Sequence, residues 1–193
     1  MSGVIAKAVR LCKRVRAKKI PFSSTLWQTA AMLSKEEGEM PFDPDKHQML
    51  PTRHFDDFQM GERFFAPSRT MSEGVFAAFQ AASGDNHPIH YDRTYLKSLG
   101  HPDLMAHGYM SLIQAAIGAS PLAHETGRAL IGFVDQSSRF LHPVYNGDTL
   151  YPAFEINELV RQTTTGILGV AIEIHNQDGV LCVSGNQRYL MRL

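Results

Sequence analysis

Four strand-like segments run in succession through the C-terminal half, over residues 129–141, 148–160, 165–176 and 180–191, with no helical pattern between them. Turn signals separate two of the pairs: Asn146-Gly147-Asp148 before the second segment and Gln177-Asp178-Gly179 before the fourth. β-Branched residues flank the last turn, Ile172 and Ile174 on one side, Val180 and Val183 on the other. Strands joined by turns this short pair antiparallel, because a parallel pair needs a crossover of a dozen residues or more. An antiparallel sheet is therefore fixed early, and the open question is what packs on it.

The segments before it answer that question. Arg63 to Arg69 predicts a strand after Gly61. Ser72, followed by Glu73, starts a helix with Val75, Phe76 and Phe79 on its apolar face. Residues 84–91, GDNHPIHY, read as a loop, since Gly84 and Pro88 both oppose helix. Gly108 opens a second apolar helix, from Tyr109 to about Ala119, ended by Pro121. The order of strand, helices, then consecutive strands predicts an α+β domain whose sheet packs on one long apolar helix. At 44% hydrophobic residues the 193-residue chain has enough apolar surface for such a core.

The N-terminal part differs in character. Of 19 basic side chains, seven fall in residues 1–20 with no acid among them, which leaves 12 against 19 acidic groups in the rest, a net of −7. An acidic body argues against non-specific nucleic-acid binding. Residues 4–19 read as a basic amphipathic helix, with Val4, Ala8, Leu11, Cys12 and Val15 at helical spacing. Three roles compete for it: an Arg-rich transit peptide, with Ser23, Ser24 and Thr25 following; a contact with an anionic surface or partner; or a solvated tail without function. Residues 24–37 suit a further short helix. Pro41, Pro44 and Pro51 then mark a linker, so residues 1–50 form an extension and residues 51–193 the domain.

Two cysteines, Cys12 and Cys182, make no disulfide framework and fit a reducing compartment. No run of about 18 apolar residues offers a membrane span. The expected location is the cytoplasm, or the mitochondrion if residues 1–25 are a transit peptide.

Chemistry concentrates in Ala82-Ser83-Gly84-Asp85-Asn86-His87-Pro88-Ile89-His90-Tyr91. A carboxylate and an imidazole lie five residues apart across a helix breaker, and a turn there can aim both into one pocket. A histidine titrates near neutral pH, and a carboxylate beside it can share one water with it. The plainer reading is a helix-ending turn in which Asp85 caps the amides of Asn86 and His87. The second segment, Met105-Ala106-His107-Gly108-Tyr109-Met110, opens a helix whose first N–H groups lack partners and favour a developing negative charge. The plainer reading there is an ordinary helix start.

Together the two segments resemble the MaoC-like dehydratases, including the (R)-specific enoyl-CoA hydratases, whose motif runs roughly Ser-Gly-Asp-x-Asn-Pro-[Leu/Ile/Val]-His, with Ala-His-Gly downstream. This chain has Ser83-Gly84-Asp85-Asn86-His87-Pro88-Ile89-His90 and then Ala106-His107-Gly108. Ser138-Arg139-Phe140-Leu141-His142-Pro143-Val144-Tyr145-Asn146-Gly147-Asp148 is similar to the family's Arg-Phe-x-x-Pro-Val-x-x-Gly-Asp strand. The likeness covers about residues 54–193. It departs at His87, where the family has asparagine, and at Leu96, where the family has a small residue.

The resemblance implies a hot-dog fold, an antiparallel sheet wrapped round a long central helix, with units paired into dimers or higher homo-oligomers. It implies reversible hydration of a trans-2-enoyl-CoA to an (R)-3-hydroxyacyl-CoA. Asp85 and His90 would be the acid–base pair and Gly108 the oxyanion donor. Ser83, Asn86 and His87 would line the substrate side, and an acyl-CoA or acyl-carrier-protein thioester would be the ligand. No nicotinamide, flavin or metal is needed for that reaction. Rival expectations are a hot-dog thioesterase, a non-catalytic acyl-CoA binder, and a metal hydrolase built on His87, His90, His101 and His107. The last has no HExxH or cysteine set behind it.

Overall fold

In a computed structural model, residues 42–193 are described. The chain divides into two compact units, Met1–His47 and Gln48–Leu193. Of the first, a single 3₁₀ turn at Pro44–Lys46 is described; the helices expected at 4–19 and 24–37 lie outside the described residues.

The second unit is an antiparallel sheet with helices on one side of the chain order. Strands β1 (Arg63–Phe65), β2 (Arg69–Thr70), β3 (Leu130–Phe140), β4 (Thr149–Arg161), β5 (Thr165–His175) and β6 (Leu181–Arg192) form it. The spatial order is β1-β4-β5-β6-β3, with β2 also on β4. The expected single strand over 63–69 is two, because Ala66-Pro67-Ser68 interrupts it and proline cannot donate to a ladder. The four long strands coincide with the four strand-like segments. The turn before β6 closes at Gly179, whose φ of +73° only glycine adopts without strain.

β5 is the central strand, and residues 166–170 along it are all buried. One face carries the main core with Phe154, Ile156, Met110 and Leu122. Phe55, from a 3₁₀ turn at Phe55–Asp57, closes the end of this same core at Gly166, where a Cβ would stand 2.3 Å from its ring. Arg53 holds this entry segment to the domain. Its guanidinium pairs with Glu62 at 2.8 Å and Glu125 at 2.7 Å and lies 4.1 Å above the Phe58 ring.

The helices are α1 (Glu73–Ser83), α2 (Pro88–Tyr91), α3 (Arg93–Ser98), α4 (Gly108–Leu112) and α5 (Pro121–Thr126). The helix expected from Tyr109 to about Ala119 is interrupted. α4 passes into 3₁₀ turns at Ile113–Ala115 and Ile117–Ala119, with Ala116 extended between them at ψ 120°. Two β-branched isoleucines and Gly118 weaken helix there, and burial against β4 and β5 sets the path instead. Residues 88–91, expected as loop, are helical: Pro88 stands at the first helical position, where its missing N–H costs nothing.

Candidate active site

The site begins where α1 stops. Gly84 takes the left-handed conformation, φ +70°, and its N–H closes on the Gln80 carbonyl. The chain turns there and is held by its own side chains. Ser83 Oγ donates to the Phe79 carbonyl at 2.8 Å and accepts the Asp85 N–H at 3.2 Å. Asn86 Oδ1 accepts from Gln80 Nε2. Asp85 Oδ1 accepts the His87 N–H at 3.2 Å, so the capping expected of this carboxylate is present, and it occupies one oxygen only. His87 caps α2, its Nδ1 accepting the Ile89 N–H at 3.2 Å. Ser83, Asn86 and His87 thus hold the turn that presents Asp85.

His90 lies on α2, half-buried. Its Nδ1 is 2.6 Å from the Met105 carbonyl. A carbonyl only accepts, so Nδ1 carries the hydrogen and Nε2 keeps a free lone pair. Burial pushes the imidazole below its ordinary value of 6.5; the Met105 carbonyl opposes this, and charge on His107 adds to it. His90 is therefore neutral at pH 7.

His107 stands just before the first residue of α4, its side chain making no bond to the helix end, and is 3% exposed. Its ring stacks on that of His90, centroids 3.5 Å apart and planes 21° apart, with Phe79 and Tyr91 at 4.8 and 5.4 Å. Nε2 lies 3.1 Å from the Asp85 main-chain carbonyl, 3.3 Å from the Tyr91 hydroxyl and 3.7 Å from Asp85 Oδ2. Burial, and then the Asp85 charge, raise the Tyr91 pKa, which keeps its hydroxyl protonated. Among the described residues Nδ1 of His107 has no hydrogen-bond partner. A buried polar atom left so costs about 1–3 kcal/mol.

Asp85, His90 and His107 each present a ligand-capable atom within 4.8 Å of the others, while the Asp85 carboxylate remains 53% exposed. One water, bonded at about 2.8 Å on each side, spans such a gap. Metal ligation asks for in-plane lone pairs that converge at about 2.1 Å. Two stacked imidazoles hold theirs in near-parallel planes about a ring thickness apart, so the set suits a shared water better than an ion.

The third motif joins the other two. Ala106 N–H donates to the Val144 carbonyl at 2.8 Å, Met105 bridges Tyr145, and Asn146 N–H reaches the Leu104 carbonyl at 2.9 Å. This pins residues 104–106, and with them the Met105 carbonyl that orients His90. Gly108 is the first residue of α4, so its N–H has no acceptor within that helix. The Phe140 ring of β3 packs over it, 3.1 Å from where a Cβ would stand. Leu96 is fully buried in α3.

A groove of about 610 Å³ runs along α4 and the turns after it against β3, lined by Tyr109, Leu112, Ile113, Phe133 and Tyr189. It meets the site only at Tyr109, one residue beyond Gly108; Asp85 and His90 do not line it. His107, Tyr91 and the Met105 carbonyl are the parts that motif spacing alone did not assign. Their nearest signal was position, inside or beside the two motifs.

A sheet of this topology on a short helical spine is a hot-dog domain, and a carboxylate–imidazole set stands at the spine's N-terminus. Residues 57–176, more than half of the chain, match the MaoC-like domain model, and the chain belongs to that family. Among curated proteins it is similar to Protein MaoC of Klebsiella aerogenes, 30% identical over 100 residues; the match covers 51% of this chain and 29% of that protein's length. Solved structures of similar fold include a monoamine oxidase regulatory protein of Archaeoglobus, with a TM-score of 0.69 and 25% identity, covering 75% of this chain and 97% of that one. An R-hydratase of Pseudomonas aeruginosa follows at a TM-score of 0.59 and 26% identity, covering 72% and 84%. A Mycobacterium tuberculosis protein with a double hot-dog fold has a TM-score of 0.64 at 23% identity, covering 73% and 44%. Among the described residues no helix is long and apolar enough to cross a membrane.

Proposed function

We propose that this chain hydrates the double bond of a trans-2-enoyl thioester, and removes water in reverse, through Asp85 and His90. The observation that carries the reading is the lock on His90. With Nδ1 held by Met105, Nε2 keeps its lone pair, and the His90 ring and the Asp85 carboxylate each bring a ligand-capable atom within 4.8 Å of the other, a distance one water bridges. Asp85 takes a proton from that water as its oxygen bonds to Cβ, and His90 Nε2 holds the water in line. The proton then passes to Cα on the same face, so one water supplies both groups and no electrons are exchanged with a cofactor. While charge rests on the thioester oxygen, the Gly108 N–H hydrogen-bonds it, a contribution of about 2.7–4 kcal/mol to the barrier for one such donor. His87, Asn86 and Ser83 serve by holding the turn. Membership in a dehydratase family and the likeness to an R-hydratase support the reaction class.

The groove beside Gly108 is the natural course for the acyl chain. A CoA or carrier-protein thioester fits equally. A homodimer completes the reading: β3 pairs with β6 on one side, and on its other side no strand pairs with it among the described residues, while Phe133, Val134 and Phe140 stand exposed along it. Such an edge calls for cover, and a second copy is its simplest source. The deciding experiment follows the enoyl absorbance of 2-enoyl-CoA esters of several chain lengths together with free thiol. Loss of absorbance without thiol supports hydration. Thiol release without loss of the double bond makes the protein a thioesterase, and tight binding with neither makes it a non-catalytic binder.

A further inference from the structure

We infer that His107 positions both members of the acid–base pair, holding the Asp85 turn through Nε2 and the His90 ring through its face. The inference rests on the hydration reading for its kinetic arm and on geometry alone for its spectroscopic arm.

A carbonyl cannot donate, so the 3.1 Å contact from Nε2 to the Asp85 main-chain oxygen places the ring hydrogen on Nε2. The Tyr91 hydroxyl donates to the Phe76 carbonyl at 3.5 Å, and its oxygen shares the same Nε2 hydrogen at 3.3 Å. One N–H therefore ties the α1–α2 turn, α2 and α4 together. Nδ1, in turn, is a bare lone pair inside the protein with no partner among the described residues. A phenylalanine would fill the same space without leaving that atom unsatisfied. Packing alone does not favour an imidazole here, and the hydrogen bond to the Asp85 turn does.

The stack supplies the second half. Among the described residues the His90 ring has one hydrogen bond, at Nδ1, which fixes one point of the ring and not its tilt. The His107 face at 3.5 Å sets the tilt and aims Nε2 at the space beside Asp85. The titratable groups around this pair are Asp85 and His87 from the turn and Tyr91 from α2. Protonated His107 would place like charge against His90 and lower its proton affinity further.

The test uses the full chain with His107→Phe and His107→Gln. Phe keeps the stack and removes the donor; Gln keeps a donor within reach of the Asp85 carbonyl and removes the stack. For His107→Phe we expect kcat for a short 2-enoyl-CoA to fall about 10-fold to 10²-fold, as displacement of reacting groups by an ångström does, with KM nearly unchanged. The acid limb of kcat/KM moves up toward 6.5, and thermal stability does not fall. His107→Gln leaves the acid limb moved in the same sense. In parallel, ¹⁵N resonances of the His90 ring report its tautomer and titration without any turnover. A wild-type protein that hydrates nothing removes the hydration reading, and the ring resonances then decide alone. Loss of the single Nδ1–H tautomer of the His90 ring in His107→Gln, which removes the stack, supports the positioning role with or without turnover. A His90 ring that keeps that tautomer in both variants overturns it.

Discussion

Asp85 and His90 differ in how firmly each is held. His90 has its tautomer set by one short bond to Met105 and its plane set by a stacked ring, while Asp85 is half-exposed and keeps Oδ2 free of any bond shorter than 3.7 Å to His107. A base that must take and return a proton benefits from that freedom. Asp85→Asn and His90→Gln should each cut hydration of a short enoyl-CoA at least about 10²-fold, as loss of a general acid–base group does. The double variant should be little worse than either single one, because groups acting as a unit are not additive. Near-normal rates in either single variant would remove the mechanism. His90 also couples folding to pH. Its proton affinity is lowered on folding, so the unfolded chain binds the proton first; the stability this site contributes is present above 6.5 and is lost as pH falls through the lower folded value. Urea midpoints measured from pH 7.5 downward should fall below 6.5, and His90→Gln should flatten that slope. The proposed pair was readable as a pair because the carboxylate, breaker and imidazole lie within six residues. The stacking partner was not, since His107 reaches His90 through space and its burial depends on Phe79 and Tyr91 from two other helices.

At the scale of elements, β6 approaches β3 closely at Gly185. A Cβ at Gly185 would stand 2.2 Å from the Ser137 carbonyl, a backbone atom that no side-chain motion relieves. Gly185→Ala should therefore destabilise the domain by about 3 kcal/mol, the upper range for overpacking, read as a lower urea midpoint at unchanged slope. Gly108 presents the opposite case. Its neighbour is the ring of Phe140, half-exposed and free to turn, so Gly108→Val should leave the fold intact while the branched side chain crowds the thioester and lowers kcat. Unfolding of that variant would show that α4 needs the glycine for packing instead. The long strands were visible in the sequence because turn residues bound them and β-branched residues fill them. The spine was only half visible: apolar residues from Tyr109 to Ala119 carry a helical pattern, yet Ala116 is extended and the segment kinks into 3₁₀ turns. Periodicity reports which residues face the sheet, and it does not report how a curved sheet bends the segment that covers it. Pro88 misled in a simpler way, since the same ring that breaks a helix interior favours its first position.

For the whole molecule, charge and contacts divide the chain near the same place. The seven basic groups of residues 1–20 precede a body of net −7, and the compact unit Gln48–Leu193 contains the sheet, the spine and every residue of the candidate site. We propose that residues 1–50 are dispensable for folding, so a chain lacking residues 1–45 should remain folded and keep its turnover; loss of either would place the extension in the core. The dimer is the larger question, because β3 carries two irregularities, after Leu130 and after Phe133, and then an unbroken ladder from Asp135 to Phe140. Bulges blunt the first half of an edge against pairing. The straight second half remains, and an antiparallel edge meeting its own copy across a two-fold axis is self-complementary. Gln136 and Ser138 face the groove beside α4; Ser137, between them on the strand, points to the other face. Lysines at Val134 and Ser137 would place like charge along this edge on both copies without lining the groove. Val134→Lys with Ser137→Lys should convert a dimer to a monomer by light scattering, with the circular dichroism of the sheet retained. If the groove along α4 is closed by the second copy, enoyl hydration should fall in step with the dimer fraction and recover as protein concentration is raised. A wild-type protein that is monomeric and fully active at the lowest assayable concentration would overturn this assembly, and would leave the groove along α4 as an acyl site open to solvent.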